Sequence, residues 1–238
     1  MGAANVQSGE MHYYFDSRNA PLTIRHVMAS GALPPAFPAI RIDGELYWDG
    51  GLFSNTPLQY MVDCNPRRSR LIFQVDVFQA HGCVPTDLDE VNEREKDIRY
   101  SSRTRVVTDT LRERHNVRHT IDELYKLLPP EIANTPQAKR LYEHGCVTEM
   151  DIAQLIYRPM APQGASKDFE FSHATMEARW QAGLSDARTT LLAAPWLAPM
   201  SKELGVRVFD VMHDILVRRH AREARVIPLS AARARPAG

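Results

Sequence analysis

No run in this sequence approaches the roughly 18 consecutive apolar residues that a bilayer-spanning helix needs. Cysteine is scarce. The three, Cys64, Cys83 and Cys146, are far apart and odd in number, which excludes a disulfide framework and matches no zinc or redox spacing. A reducing compartment is the default, so the expected location is cytoplasmic. Net charge is absent as well: 29 basic residues face 29 acidic ones, so overall charge gives nucleic-acid binding no support. There is no internal repeat. The opening Met1-Gly2-Ala3-Ala4-Asn5 lacks the shape of a signal peptide. Strand-like sequence begins within a few residues of it, so the chain is expected to start inside a domain.

What is present suits a folded globular chain. Apolar residues make up 44%, close to the soluble average, and 238 residues can bury a sizeable core as one or two domains. Asn5 to Asp16 reads as a hairpin, with its turn at Ser8-Gly9-Glu10 and Met11, Tyr13 and Phe15 alternating after it. Pro21 to Met28 reads as a short helix that Gly31 and Pro34-Pro35 stop. Ile40-Arg41-Ile42 and Glu45 to Trp48 flank Asp43-Gly44, the strongest short hairpin signal there is. Thr56-Pro57 supplies an N-cap and first-turn pair for a helix through Val62. Leu71 to Phe78 reads as a parallel-sheet strand buried on both faces. The stretch from Thr86 to Thr110 is highly charged. Val117, Ile121, Leu124 and Leu128 then fall on one helical face, which Pro129-Pro130 ends. Ile152 to Tyr157 is a second strand. Ser172 caps a long helix with Met176, Trp180, Leu184, Ala187 and Leu191 on one face, and a final helix carries Val208, Met212 and Ile215. The tail beyond Val217 holds six Arg and one Glu and is expected to fray; a solvated end is its simplest role, contact with anionic lipid or nucleic acid the other.

Serine nucleophiles come first among the chemical candidates. The Gly-x-Ser-x-Gly elbow exposes a hydroxyl on a sharp strand-to-helix turn, and no such pentapeptide occurs here. Gly183-Leu184-Ser185-Asp186-Ala187 lies inside a helical pattern, and Gly164-Ala165-Ser166-Lys167-Asp168 sits in a loop; both lack the last glycine. Ser30, beside the Pro-rich turn, lacks both glycines and is read as packing. His115 and His119 are one helical turn apart, as zinc ligands would be, yet Asn116 stands where the zincin motif needs Glu. A solvated helix face is the plainer reading, and no metal or cofactor is suggested. Asp49 differs. It ends a strand and is followed by Gly50-Gly51. Two readings fit: a turn aspartate bonding the next backbone amides, or a general base on a rigid loop, with glycines admitting a reactant.

Met28-Ala29-Ser30-Gly31-Ala32-Leu33-Pro34, Phe37-Pro38, Asp43-Gly44, Tyr47-Trp48-Asp49-Gly50-Gly51 and Asn55-Thr56-Pro57-Leu58 together resemble the C-terminal part of a patatin-like phospholipase domain. Lys96 to Arg105 and Ser166 to Ser172 resemble the extension of one bacterial subgroup of that family. The resemblance implies an α/β fold: the C-terminal portion of a three-layer α/β/α sandwich in 1–63, a mostly helical extension in 64–200, then a helix and Arg-rich tail in 201–238. It implies hydrolysis of a lipid or other ester by a Ser-Asp dyad needing no cofactor, with Asp49 as the base and Asp49, Gly50 and Gly51 as its motif. The nucleophile elbow and the Gly-rich oxyanion loop of such domains lie upstream of that motif, so no nucleophile is assigned in this chain. The chain alone is expected to be inactive and only marginally folded, with Leu71 to Phe78 exposing an apolar face or an unpaired edge. Membrane contact would be peripheral at most. The alternative is a non-catalytic interaction or scaffold protein derived from such an enzyme.

Overall fold

The computed structural model describes residues 1–13, 21–54, 56–63, 67–159, 161–202 and 204–226. Phe15, Asn55, Cys64 and the tail from residue 227 lie outside them. The architecture is α/β, with a small antiparallel sheet and a parallel sheet flanked by helices.

The antiparallel sheet is built from hairpins. β1 (Gly2–Asn5) pairs with β2 (Met11–Tyr13), Gly2 opposite Tyr13. Asn5 closes the loop: its N–H donates to Glu10 O, and its side-chain oxygen accepts from Gln7 N and Ser8 N. β3 (Ile40–Ile42) and β4 (Glu45–Asp49) form the Asp43-Gly44 hairpin, with φ of 50° and 90° at the two turn residues. Both values are left-handed, as the favoured two-residue turn requires. β4 also pairs with β1, giving the order β2-β1-β4-β3. α1 (Ile24–Ser30) packs on this sheet and buries Ala29 beside Ala3, Ile42 and Tyr47. Its start is sealed by Thr23 and His26 in a reciprocal capping arrangement.

α2 (Leu58–Asp63) opens after Thr56. The Thr56 hydroxyl is buried, donates to Thr104 Oγ1 and accepts from Gln74 Nε2. β5 (Arg70–Asp76), β6 (Met150–Ile156) and β7 (Val206–Phe209) form the parallel sheet, in that order. The sequence pattern places Val208 on the last helix; instead Val208 pairs with Ile152 in β7, and that helix, α7 (Val211–Val226), starts only afterwards. The helix also continues well past Val217, where fraying is expected. One face of the sheet packs Ile72, Met150, Ile152 and Val206 against Leu58, Val62 and Leu111. The expectation that β5 is buried on both faces fails. Leu71, Phe73, Val75 and Val77 stay exposed, Val75 at 62%, and β5 is an edge strand.

β5 reaches β6 through α3 (Leu88–Lys126), one helix of 39 residues capped by Asp87, then the short helices α4 (Pro130–Ala133) and α5 (Pro136–Tyr142). The face of α3 that turns inward is Glu93, Asp97, Ser101, Thr104, Thr108, Leu111, His115, His119 and Asp122. Steps of three and four make one stripe, and nearly all of it is polar. Val117 and Leu124, expected on the buried face, are 59% and 58% exposed on the opposite side. β6 reaches β7 through α6 (His173–Ala193), capped by Ser172 as expected. Its expected inward face is also turned out: Met176, Trp180 and Leu191 are exposed, and Thr190 is buried.

His115 and His119 are not on a solvated face. Both are buried, and both Nε2 atoms lie 2.7 Å from Thr148 O, so each imidazole donates to one carbonyl just ahead of β6. Asn116 Oδ1 accepts from Gly205 N and Val206 N at the start of β7. A Cβ on Gly205 would overlap both imidazole rings. The pair clamps strand ends. No group of three or more His, Cys, Asp or Glu side chains could hold a metal among the described residues. No helix among them is long and apolar enough to cross a membrane.

Candidate active site

Asp49 is where two local constraints meet. Its N–H donates to Ala32 O at 3.0 Å, which ties the end of β4 to the turn after α1. Its side-chain Oδ1 accepts from Gly51 N at 2.7 Å, capping a 3-10 turn over Gly50–Leu52. This is the bond that the turn reading expects. It also fixes one carboxylate oxygen and leaves Oδ2 without a hydrogen-bond partner among the described residues. Burial raises the pKa of Asp49 above the ordinary value, and the Gly51 bond offsets part of that rise.

Gly50 is there for space. A Cβ at this position would lie 2.9 Å from Gly2 O and 2.6 Å from Met11 Cε. The turn is therefore pressed against β1, and Asp49 is aimed by the sheet itself.

Asp49 opens onto a cavity of about 550 Å³. Leu33 and Gly51 line it on the same side. Val75, Val77 and Phe78 come from the end of β5 and Leu155, Ile156 and Tyr157 from the end of β6. α6 lends Arg179, Gly183 and Asp186, and the loop before it lends Gln163, Lys167 and Asp168. Parallel sheets bind ligands beyond the carboxyl ends of their strands, which is where this cavity lies. A mostly apolar wall with a few converging polar groups is the usual form of a small-molecule site. Ser30 is not among the described residues lining it, and Ser185 and Ser166 are not either. Ser185 lies within α6, as its helical pattern predicts.

The polar rim is tightly fastened. Lys167, 7% exposed, is paired with Asp97 and with Glu93. Glu93 Oε2 accepts from Gln163 N and Gly164 N. Lys96 bonds Asp168 at 2.8 Å and Ala165 O at 2.6 Å. The buried acids of α3, which no hydrophobic pattern could flag, thus hold the loop that walls the cavity. Asp186 is raised in pKa by burial, with the charge of Asp210 adding to the rise and that of Arg158 opposing it.

Two family models match the chain. One, described as patatin-like phospholipase, covers residues 4–62; the other, described as patatin phospholipase, covers residues 98–203. The chain belongs to the patatin-like phospholipase family. No curated protein and no solved structure matches it. At the family level the activity is that of a lipid hydrolase. Both matched stretches of this patatin-like chain contribute to the cavity: Leu33, Asp49 and Gly51 from the first, Tyr100 and Leu155 through Asp186 from the second. Sequence reasoning misses Gln163, Tyr157 and Arg179. Nothing in their spacing marks them, because they meet only when the loop folds back on α6.

Proposed function

We propose that Asp49 is the general base of a Ser-Asp dyad that hydrolyses a lipid acyl ester in this cavity. One observation carries the reading. A half-buried carboxylate, held by Gly51 N and raised in pKa by burial, opens onto a mostly apolar cavity. A raised pKa makes the carboxylate a stronger base nearer the working pH. In the proposed reaction a serine Oγ attacks the ester carbonyl and its proton passes to Asp49. Asp49 then gives that proton to the leaving alkoxide, and water releases the acyl group by the reverse transfers.

No nucleophile within these 238 residues is assigned in this reading, which is supported by a sequence without Gly-x-Ser-x-Gly and a described lining without Ser, Thr or Cys. The chain by itself is therefore proposed to be inactive. Each absent oxyanion donor would be worth about 2.7–4 kcal/mol of barrier. The lipid would be met peripherally. α1 exposes Ile24, Val27 and Met28 along one side, and Phe53 is exposed just past the Asp49 turn. The lack of Ser, Thr and Cys among the described lining residues also favours a second reading, a non-catalytic scaffold derived from such an enzyme.

The test begins with purified chain and p-nitrophenyl butyrate, for which no enzymatic hydrolysis is expected. Hydrolysis by this chain that Asp49→Asn abolishes would refute the assignment of an external nucleophile. The DNA upstream of the Met1 codon supplies the second arm. If it encodes an in-frame Gly-x-Ser-x-Gly segment, joining that segment should confer esterase activity. Asp49→Asn should then lower the activity by roughly 10²–10⁴-fold; an unchanged rate would remove Asp49 from the mechanism.

A further inference from the structure

Arg179 lines the cavity, and among the described residues no carboxylate pairs with it. Its Nη1 donates to the main-chain O of Glu170 at 3.3 Å, and its Nη2 to Gln163 Oε1 at 3.2 Å, both neutral acceptors. Its Nε is buried and has no hydrogen-bond partner among the described residues. Of the acids that line the cavity with it, Asp186 feels the charge of Arg158 and not that of Arg179. Glu170 feels the charge of Arg179, but its Oε1 accepts from Ser172 N. Asp168 pairs with Lys96, and Asp49 accepts from Gly51 N. Gln163 also donates to the hydroxyl of Tyr157 at 2.9 Å, which leaves the Tyr157 O–H free to donate. A guanidinium that lines a cavity without a counter-ion carries a desolvation cost that an anion in the cavity would offset.

We propose that Arg179, with the Tyr157 hydroxyl beside it, binds an anionic oxygen group, carboxylate or phosphate, at the head of an amphiphile. The alkyl part of that ligand lies along Val75 and Leu155. This makes Arg179 a specificity-determining residue for an ester that carries a negative charge, and it rests on the reading of the cavity as the ester site. Guanidinium suits such a ligand, because its planar fork matches both oxyanions and charge-assisted bonds are about twice as strong as neutral ones. Gly183, one turn along α6 on the same wall, leaves room for the chain. A Cβ there meets nothing within 4 Å, and Gly183 lines the cavity, so a larger side chain at 183 would occupy part of that wall's open space.

Titration calorimetry of the full chain with octyl phosphate, octanoate and 1-octanol tests the proposal. At least one anionic probe is expected to bind roughly tenfold or more tighter than 1-octanol, and the tighter of the two names the head group. Arg179→Met should bring both anions down to the level of 1-octanol, while Arg179→Lys retains part of the preference. Gly183→Leu should abolish binding of all three probes, with its unfolding midpoint confirming that it is folded. Equal binding of anions and alcohol, or an Arg179→Met chain that still prefers anions, overturns the proposal. So does unaltered anion binding by Gly183→Leu. Asp49→Asn, which removes a negative charge from the same cavity, should bind the anions at least as tightly. If esterase activity proves independent of Asp49 while Arg179→Met loses anion binding, the dyad fails and this proposal stands. The opposite pair of results separates them the other way.

Discussion

Gly50 sits so close to Gly2 that an added Cβ would be 2.9 Å from the Gly2 carbonyl oxygen. That oxygen belongs to the backbone of a paired strand and cannot swing aside. Gly50→Ala should therefore push the 3-10 turn off β1 and cost about 1–3 kcal/mol, the usual range for overpacking. A urea denaturation midpoint that stays put would show that the turn relaxes freely.

At Asp49 stability and charge pull in opposite directions. Its pKa in the folded chain is raised above the ordinary 3.8, so between the two values the folded state holds more protons than the unfolded one. Stability from this group is present below pH 3.8 and is lost as pH rises through the folded pKa. Asp49→Asn keeps an acceptor for Gly51 N and removes the buried charge. The variant should melt at the same temperature as the parent at pH 3 and higher at pH 7. A lower melting temperature at pH 7 would mean that the ionised carboxylate stabilises the turn.

His115 predicts acid sensitivity. Burial lowers its pKa below the ordinary 6.5, so below pH 6.5 the unfolded chain binds a proton that the folded chain resists. Stability from this source is complete above pH 6.5 and falls as pH drops toward the folded value. His115→Gln can still donate to Thr148 O without titrating. Thermal melts from pH 7.5 to 5 should be steeper in pH for the parent than for the variant. Parallel curves would exclude His115 as the cause.

Lys167 neutralises two buried acids at once. Lys167→Met would leave Glu93 and Asp97 facing each other on α3, one turn apart, without their cation. Removing one partner of such a buried arrangement typically costs about 3–5 kcal/mol. Restoring most of that loss with a second change, Asp97→Asn, would identify the leftover charge as the cause. A double variant no better than the single one would point to packing instead.

The hairpin segments are legible in the sequence because their geometry is local. Asp43-Gly44 asks for two left-handed residues, and few alternatives satisfy that at so small a cost. The Asp49 turn is legible for the same reason, together with the long Met28 to Leu58 resemblance. The long helices are not. A hydrophobic stripe is read as the buried face, yet α3 buries Thr104, Thr108 and His115 and leaves Val117 outside. The polar groups are buried because they bond to strand ends, to Gln74 and to the loop at Lys167, partners set by tertiary contact alone. β7 escapes notice because four residues of strand abut α7 with only Asp210 between them.

The length of α3 has a mechanical consequence. A helix of 39 residues rises about 58 Å, whereas the seven residues of β5 span about 23 Å. The helix is thus more than twice as long as the strand, and its buried stripe runs from Glu93 to Asp122. One end carries Glu93, Lys96 and Asp97, which grip the cavity wall; the other carries His115, Asn116 and His119, which grip the incoming ends of β6 and β7. One continuous rod thus ties the wall of the cavity to the opposite ends of the strands.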